Sequence, residues 1–266
     1  MKSREIRGSG NFDKLFLRSV PHIMENKFFS SDYMSFKTCM RVNKTWRDLL
    51  ITARYQKELP RLLNEKYENE VKLHIASRHG NAEEVKRLIC KHMVNVNIKM
   101  GWEGSTPLLE AAFGGHNEVI CILFEARADT EQRNRDGYTP LIAAISNHHI
   151  EAVKIFLGAG ALVDNADMNG RSPLWWAESV SIAKILLEHG ADPNKADKWG
   201  QTPLHPAVRF GNRALMKSLI EGGADIGRRD KWGRSPLDRA SMEGQEDIFK
   251  RILAELQLEK QKRSPN

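Results

Sequence analysis

Between residues 69 and 254, apolar residues cluster at helical spacing rather than alternating. In NEVICILFEARAD, residues 117–129, Val119, Ile122 and Leu123 stand at the i, i+3, i+4 interval that places side chains on one helix face. IEAVKIFLGAGA, IAKILLEHGADPN and ALMKSLIEGGAD repeat that pattern further along. A shorter apolar segment precedes each, opening on Thr or Ser followed by Pro and Leu. The openings are Thr106, Thr139, Ser172, Thr202 and Ser235, at steps of 33, 33, 30 and 33 residues. The hydroxyl residue suits a helix N-cap, and proline suits the first helical position, where its missing N–H costs nothing. Gly160, Gly190 and Gly223 fall where a second helix needs a left-handed C-terminal cap. Between helix pairs come NRDG at 134–137, DMNG at 167–170, and DKWG at 197–200 and again at 230–233. An acidic or amide residue with glycine three places on fits a type I turn at the tip of a hairpin. The pattern predicts a stack of helix pairs with projecting hairpin fingers.

Departures from the period occur at both ends and once inside. VKLHIASRHGNAEEVKRLICKHMVNVN keeps Leu73, His74, Ala76, Gly80 and Val85 but lacks the Thr-Pro opening, and IKMGWEGS lengthens its connection to the next unit. The last unit, from Asp230, runs into the increasingly polar ILAELQLEKQKRSPN. Terminal units of a stack have one face without a neighbour, which explains both. The fourth unit is three residues short between Ala177 and Leu186, so a turn or a helix end is expected to be trimmed there. Six units are expected. With HGADPN at 189–194, this stretch resembles the ankyrin-repeat family. The resemblance implies an all-α solenoid of helix pairs with β-hairpin fingers that binds other proteins through fingertips and the outward side of the first helices.

The residues before the repeats follow another pattern. VPHIMENKFFSSDYMSFKTCMRVNKTWRDLL, residues 20–50, has Ile23, Met24 and Phe28 and then Phe36, Cys39, Met40 and Val42 at helical spacing. With Val20-Pro21 at its start, Phe28-Phe29, a Ser31-Asp32 break and Trp46 in VNKTW, the segment resembles an F-box. That resemblance implies a small helical domain docking on the linker subunit of an SCF-type cullin–RING ubiquitin ligase through Val20, Pro21, Ile23, Met24, Phe28, Phe29, Val42 and Trp46. The first helix is about a turn shorter than the family's, and Val20 replaces its leading leucine. A second reading stands beside it, in which these helices only cap the open end of the stack in a non-ligase scaffold or inhibitor. The divisions expected are a flexible N-terminus at 1–18, the F-box-like segment at 19–50, a helical connector interrupted at Pro60 over 51–68, repeats over 69–254 and a tail at 255–266.

Composition narrows the function. Among 266 residues, 28% are charged and 41% hydrophobic, ordinary for a water-soluble domain. Three cysteines without a CxxC pair suggest neither a disulfide framework nor a zinc site, and fit a cytoplasmic or nuclear setting. No apolar run approaches a membrane span or a signal-peptide core. Net charge is +7, a surplus that favours acidic partners without a dense basic run of the kind that marks nucleic-acid binding. No nucleophile elbow, phosphate loop or metal-ligand spacing is present, so neither an enzyme nor a cofactor is expected. His205 and His74 fall on the histidine of the repeat's opening motif and His149 on that of its inter-helix turn, all expected to bridge to backbone. Cys90 and Cys121 are expected in the core.

A partner is expected to meet the finger and first-helix positions. These hold Tyr138, Met168, Arg171, Lys198, Trp199, Gln201, Lys231, Trp232 and Arg234 on the fingers, and Arg209 and Phe210 at the end of a first helix. Tryptophan recurs at one fingertip position in consecutive units, with basic residues beside it. That composition matches binding hot spots and an extended, acidic protein or peptide target; the competing reading is that each indole packs on the next finger. Trp175 and Trp176, beside the shortened stretch, read as compensatory packing. Outside its complexes the chain is expected to be monomeric.

Overall fold

The structure, a computed structural model, describes residues 59–92 and 94–263, and the F-box-like segment with all its proposed docking residues lies outside them. Among the described residues twelve helices pair into six units. They are α1 (Leu59–Arg78) with α2 (Ala82–His92), α3 (Pro107–Gly114) with α4 (Asn117–Glu125), and α5 (Pro140–Ser146) with α6 (Ile150–Gly158). Then follow α7 (Pro173–Trp176) with α8 (Val180–Glu188), α9 (Leu204–Arg209) with α10 (Arg213–Glu221), and α11 (Pro236–Met242) with α12 (Glu246–Arg263). No β-strand occurs among these residues; Met100 and Ser105 form an isolated bridge.

The first helices start where hydroxyl and proline direct them. Thr106, Thr139, Ser172 and Ser235 each accept the amide of the residue three places on, at 3.1–3.3 Å. Thr202 departs from this: its hydroxyl and amide both meet His205 Nδ1 at 3.1 Å, and α9 begins at Leu204. Second helices bury one face, through Val119, Ile120, Ile122 and Leu123 in α4, Ala152, Val153, Phe156 and Leu157 in α6, and Ile182, Ala183 and Leu186 in α8. One apolar core runs through the stack, with Phe156 and Phe249 its largest wholly buried side chains.

Polar bridges tie unit to unit. His116 and His149 place ring nitrogens 2.9 Å from the carbonyls of Arg78 and Phe113 in the preceding units, and Asn212 Nδ2 donates to Glu178 O at 2.9 Å in the same manner. His205 Nε2 lies 3.3 Å from Arg234 O and His74 Nε2 3.2 Å from Ser105 O, the backbone bridging expected of these histidines. Burial is the main cause holding both imidazoles below their ordinary pKa.

Three features add detail to the sequence expectation, and a fourth departs from it. Helix α1 runs unbroken from Leu59 through residue 68 to Arg78, with Pro60 in its first turn. Helix α12 continues to Arg263. All three residues missing from the fourth unit come out of its first helix: α7 has four residues where α5 has seven, while α6 and α8 both have nine. Cys90 and Cys121 are exposed, not core. The reason is helix phase: with Val119, Ile122 and Leu123 facing inward, position 121 points outward.

Candidate partner-binding groove

Each finger is a five-residue loop closed by its own first residue. Asn134, Asp167, Asp197 and Asp230 are buried, and each accepts through Oδ1 the amides two and four residues on, at 2.8–3.1 Å. The backbone amide of each also donates to the carbonyl four residues on. Glycine at the fourth position takes φ between +75° and +80°. A Cβ on Gly137 would stand 2.3 Å from Met168 N, so the side-chain-free residue also lets adjacent fingers approach. The approach is used: Asp136 O, Asn169 O and Trp199 O accept the amides of Met168, Lys198 and Lys231 in the next finger, at 3.3, 2.9 and 2.9 Å. This rung-to-rung bonding fixes the direction of the tip residues.

At those tips Met168, Lys198, Trp199, Lys231 and Trp232 are exposed, the two indoles at 41% and 58%. Arg234 stacks on Trp232, with its guanidinium carbon 4.7 Å from the ring centre. Cation and indole face are attracted at that distance. Tyr138 sits deeper, in an aromatic row. It meets Phe113 at 6.3 Å and Trp176 edge-on at 5.1 Å, and Trp176 meets Trp175 at 5.3 Å. Arg171 covers both indoles, 4.1 Å from Trp176 and 4.9 Å from Trp175, while its Nε donates to Asp167 Oδ2 at 2.7 Å.

A concave pocket of about 410 Å³ opens among units four to six. Arg171, Trp199, Gln201, Arg209, Trp232 and Arg234, six of the finger and first-helix residues singled out in the sequence, converge on its wall. Tyr138 supports that wall through Trp176 and Arg171. Met168, Lys198 and Lys231 stand outside the pocket on the finger row, and Phe210, 63% exposed, lies at the end of α9 beneath the Arg209 guanidinium. Trp175, Asp197 and Arg239 complete the lining. Trp175 reads in sequence as a packing residue and Asp197 as a turn former. Arg239 becomes visible only by register, nine residues after Asp230 as Trp176 is nine after Asp167.

Electrostatics divide the lining. Arg171 is matched by Asp167, whereas Arg234 and Arg239 share Asp230 at 3.1 and 3.8 Å. Burial works to raise the Asp230 pKa, but its bonds with the Arg234 and Trp232 amides and the Arg234 side chain hold it below the ordinary value. Arg209 is paired with no carboxylate among the described residues and lies over the Phe210 ring, 4.6 Å from its centre. Neither a membrane-spanning helix nor a metal-binding cluster occurs among the described residues. The arrangement offers indole faces, guanidinium donors and a shallow cavity, which is equipment for gripping a polypeptide.

Comparison with known proteins agrees with the architecture. The family described as Ankyrin repeats (3 copies) matches residues 49–134, 115–197 and 178–263. A putative ankyrin repeat protein of fowlpox virus (strain NVSL), FPV223, is 28% identical over 136 residues, covering 50% of this chain and 95% of the viral protein. Among solved structures, a chain in the complex of the Bd0816 predatory endopeptidase from Bdellovibrio bacteriovorus with immunity protein Bd3460 superimposes with a TM-score of 0.63 and 29% identity. It covers 69% of this chain and 97% of that one. This chain belongs to the ankyrin-repeat family, whose repeats bind protein targets.

Proposed function

We propose that the groove over units three to six holds an extended, mainly acidic segment of a target protein, and that residues 20–50 carry the assembly to an SCF-type cullin–RING ligase. One observation carries the first half. Trp199 and Trp232 stand half-exposed at consecutive fingertips, with Arg171, Arg209 and Arg234 on the same pocket wall. Indoles that only served packing would be covered. The unmatched Arg209, and Arg239 as the second guanidinium on the one Asp230 carboxylate, supply the positive surplus an acidic segment would meet. Affinity purification of the full chain against a Trp199→Ala/Trp232→Ala variant tests it: partners retained equally by both would refute the groove.

The second half rests on the F-box-like pattern of Val20-Pro21, Phe28-Phe29 and Trp46. Mixing the purified full chain with the ligase linker subunit decides it, and absence of a complex leaves a scaffold or inhibitor. In that case removal of residues 1–58 should spare target affinity.

A further inference from the structure

The finger aspartates allow one buried carboxylate to be compared in three settings. Each uses Oδ1 for two finger amides, so Oδ2 must find other donors. In the fourth unit Asp167 Oδ2 accepts from Arg171 Nε at 2.7 Å and Trp176 Nε1 at 3.3 Å. In the sixth, Asp230 Oδ2 accepts from Arg234 Nε and a terminal nitrogen at 3.2 and 3.1 Å, with Arg239 at 3.8 Å. These donors stand four and nine residues beyond the aspartate. In the fifth unit the same positions hold Gln201 and Pro206. Proline has no donor, and the glutamine side chain makes no hydrogen bond to Asp197. Asp197 is 7% exposed, and its Oδ2 has no hydrogen-bond partner among the described residues. A buried carboxylate oxygen without a donor is costly to keep. This one belongs to the pocket wall, in company with Trp175, Trp199 and Trp232.

We propose that Asp197 is the specificity residue of the groove, and that it receives an arginine or lysine side chain projecting from the bound segment. The incoming N–H donates to Asp197 Oδ2, and the cation lies against the Trp199 indole, since Arg171 and Arg234 already stack on Trp175 and Trp232. Arg171 and Arg234 do not oppose it as free charges would, since Arg171 is bonded to Asp167, Arg234 is bonded to the Asp230 it shares with Arg239, and both stack on tryptophan. The unmatched Arg209 meets the flanks of the segment instead. The sequence recognised is therefore a basic side chain between acidic neighbours. This inference rests on the groove reading proposed above and adds its selectivity.

Asn134 supplies the control. In the third unit it builds the same finger, its Oδ1 accepting the amides of Asp136 and Tyr138 at 3.1 and 2.9 Å. Asp197→Asn therefore keeps the turn, removes the charge and replaces the unpaired oxygen with an N–H donor. The probe is an array of ten-residue peptides with Asp and Glu flanks and Arg, Lys, Gln or Glu at the centre, bound by the full chain. Arg- and Lys-centred peptides should bind at least tenfold more tightly than Gln-centred ones. Asp197→Asn should abolish that preference without lowering the melting temperature, since it removes a buried charged oxygen that has no donor. Equal binding of all centres, preference for Glu, or a preference that survives Asp197→Asn overturns the inference alone. Retention of no peptide overturns the groove reading as well.

Discussion

Two carboxylates, one in the second unit and one in the fifth, are buried to a similar degree and treated in opposite ways. Glu110, in α3, is enclosed against the degenerate first unit. Arg78 Nε donates to its Oε2 at 2.7 Å, and His74 Nε2 lies 3.7 Å from its Oε1. Burial alone would raise the Glu110 pKa, yet these partners hold it below the ordinary value. Asp197 is as deeply enclosed, but one of its oxygens has no donor within the described chain. A satisfied buried charge holds units together. An unsatisfied one beside exposed tryptophans marks a surface whose remaining partner comes from elsewhere.

The sharpest way to break this comparison is at the first junction. Arg78→Ala leaves the Glu110 carboxylate enclosed with only Ser105 and His74 near it. A loss of about 3 kcal/mol is expected, at the low end for a broken buried pair because the Arg78 side chain is itself 60% exposed. Glu110→Gln, which removes the charge and lets Arg78 turn to water, should cost clearly less. Urea unfolding of both variants measures the asymmetry. Neither should change affinity for the groove's target.

At the groove the expectation reverses. Trp199→Ala and Trp232→Ala should each weaken target binding by about 1–3 kcal/mol, with little change in melting temperature. Their exposure leaves little packing to lose. Unaltered affinity with a lower melting temperature would return both indoles to a purely structural role.

A third, pH-dependent test separates the two regions by the groups that titrate. His74 and His205 are held neutral by burial, with pKa values below the ordinary one of about 6.5. Above that value neither folded nor unfolded chain is charged there. As pH falls below it, the unfolded chain binds protons first, so stability declines through the folded values. Asp230, with its pKa depressed, loses its contribution only in a separate window below about 3.8. Urea midpoints from pH 7.5 to 5 should therefore fall. His205→Gln should flatten part of that slope, and a slope unaffected by it would remove this bridge from the account.

Much of this was legible in the chain itself, and for physical reasons. Five Thr-Pro or Ser-Pro openings, four Asx-to-Gly turns and the recurring i, i+3, i+4 apolar pattern are local chemistry, so helix pairs and fingers follow from short windows of sequence. Fingertip position likewise follows from turn position, which is why Trp199, Trp232, Arg171 and Arg234 could be named. Asp197 and Arg239 could not. Their role depends on which donors stand four and nine residues away in neighbouring repeats, and on a cavity that three units build together. Continuity of α1 through residue 68 was hidden for another reason: Pro60 is tolerated in a helix's first turn and forbidden only deeper in.

The smallest expected effect tests helix phase, where the sequence reading went astray. Cys90 follows Leu88 and Ile89, and Cys121 stands between Ile120 and Ile122, and that apolar company alone would bury them. Burial is decided by rotation about the helix axis. In α2, Val85 and Leu88 face the core, and Cys90 falls two residues beyond the inward row. In α4, Cys121 lies between the inward pairs Val119–Ile120 and Ile122–Leu123, on the side turned to water. Cys90→Ser and Cys121→Ser should therefore each shift stability by no more than about 0.5 kcal/mol, the range of ordinary surface substitutions. A buried thiol replaced by a hydroxyl would lose about 1–3 kcal/mol instead, because the new polar group would have no partner. Thiol labelling of the folded protein checks the same point directly, since exposed cysteines react without unfolding.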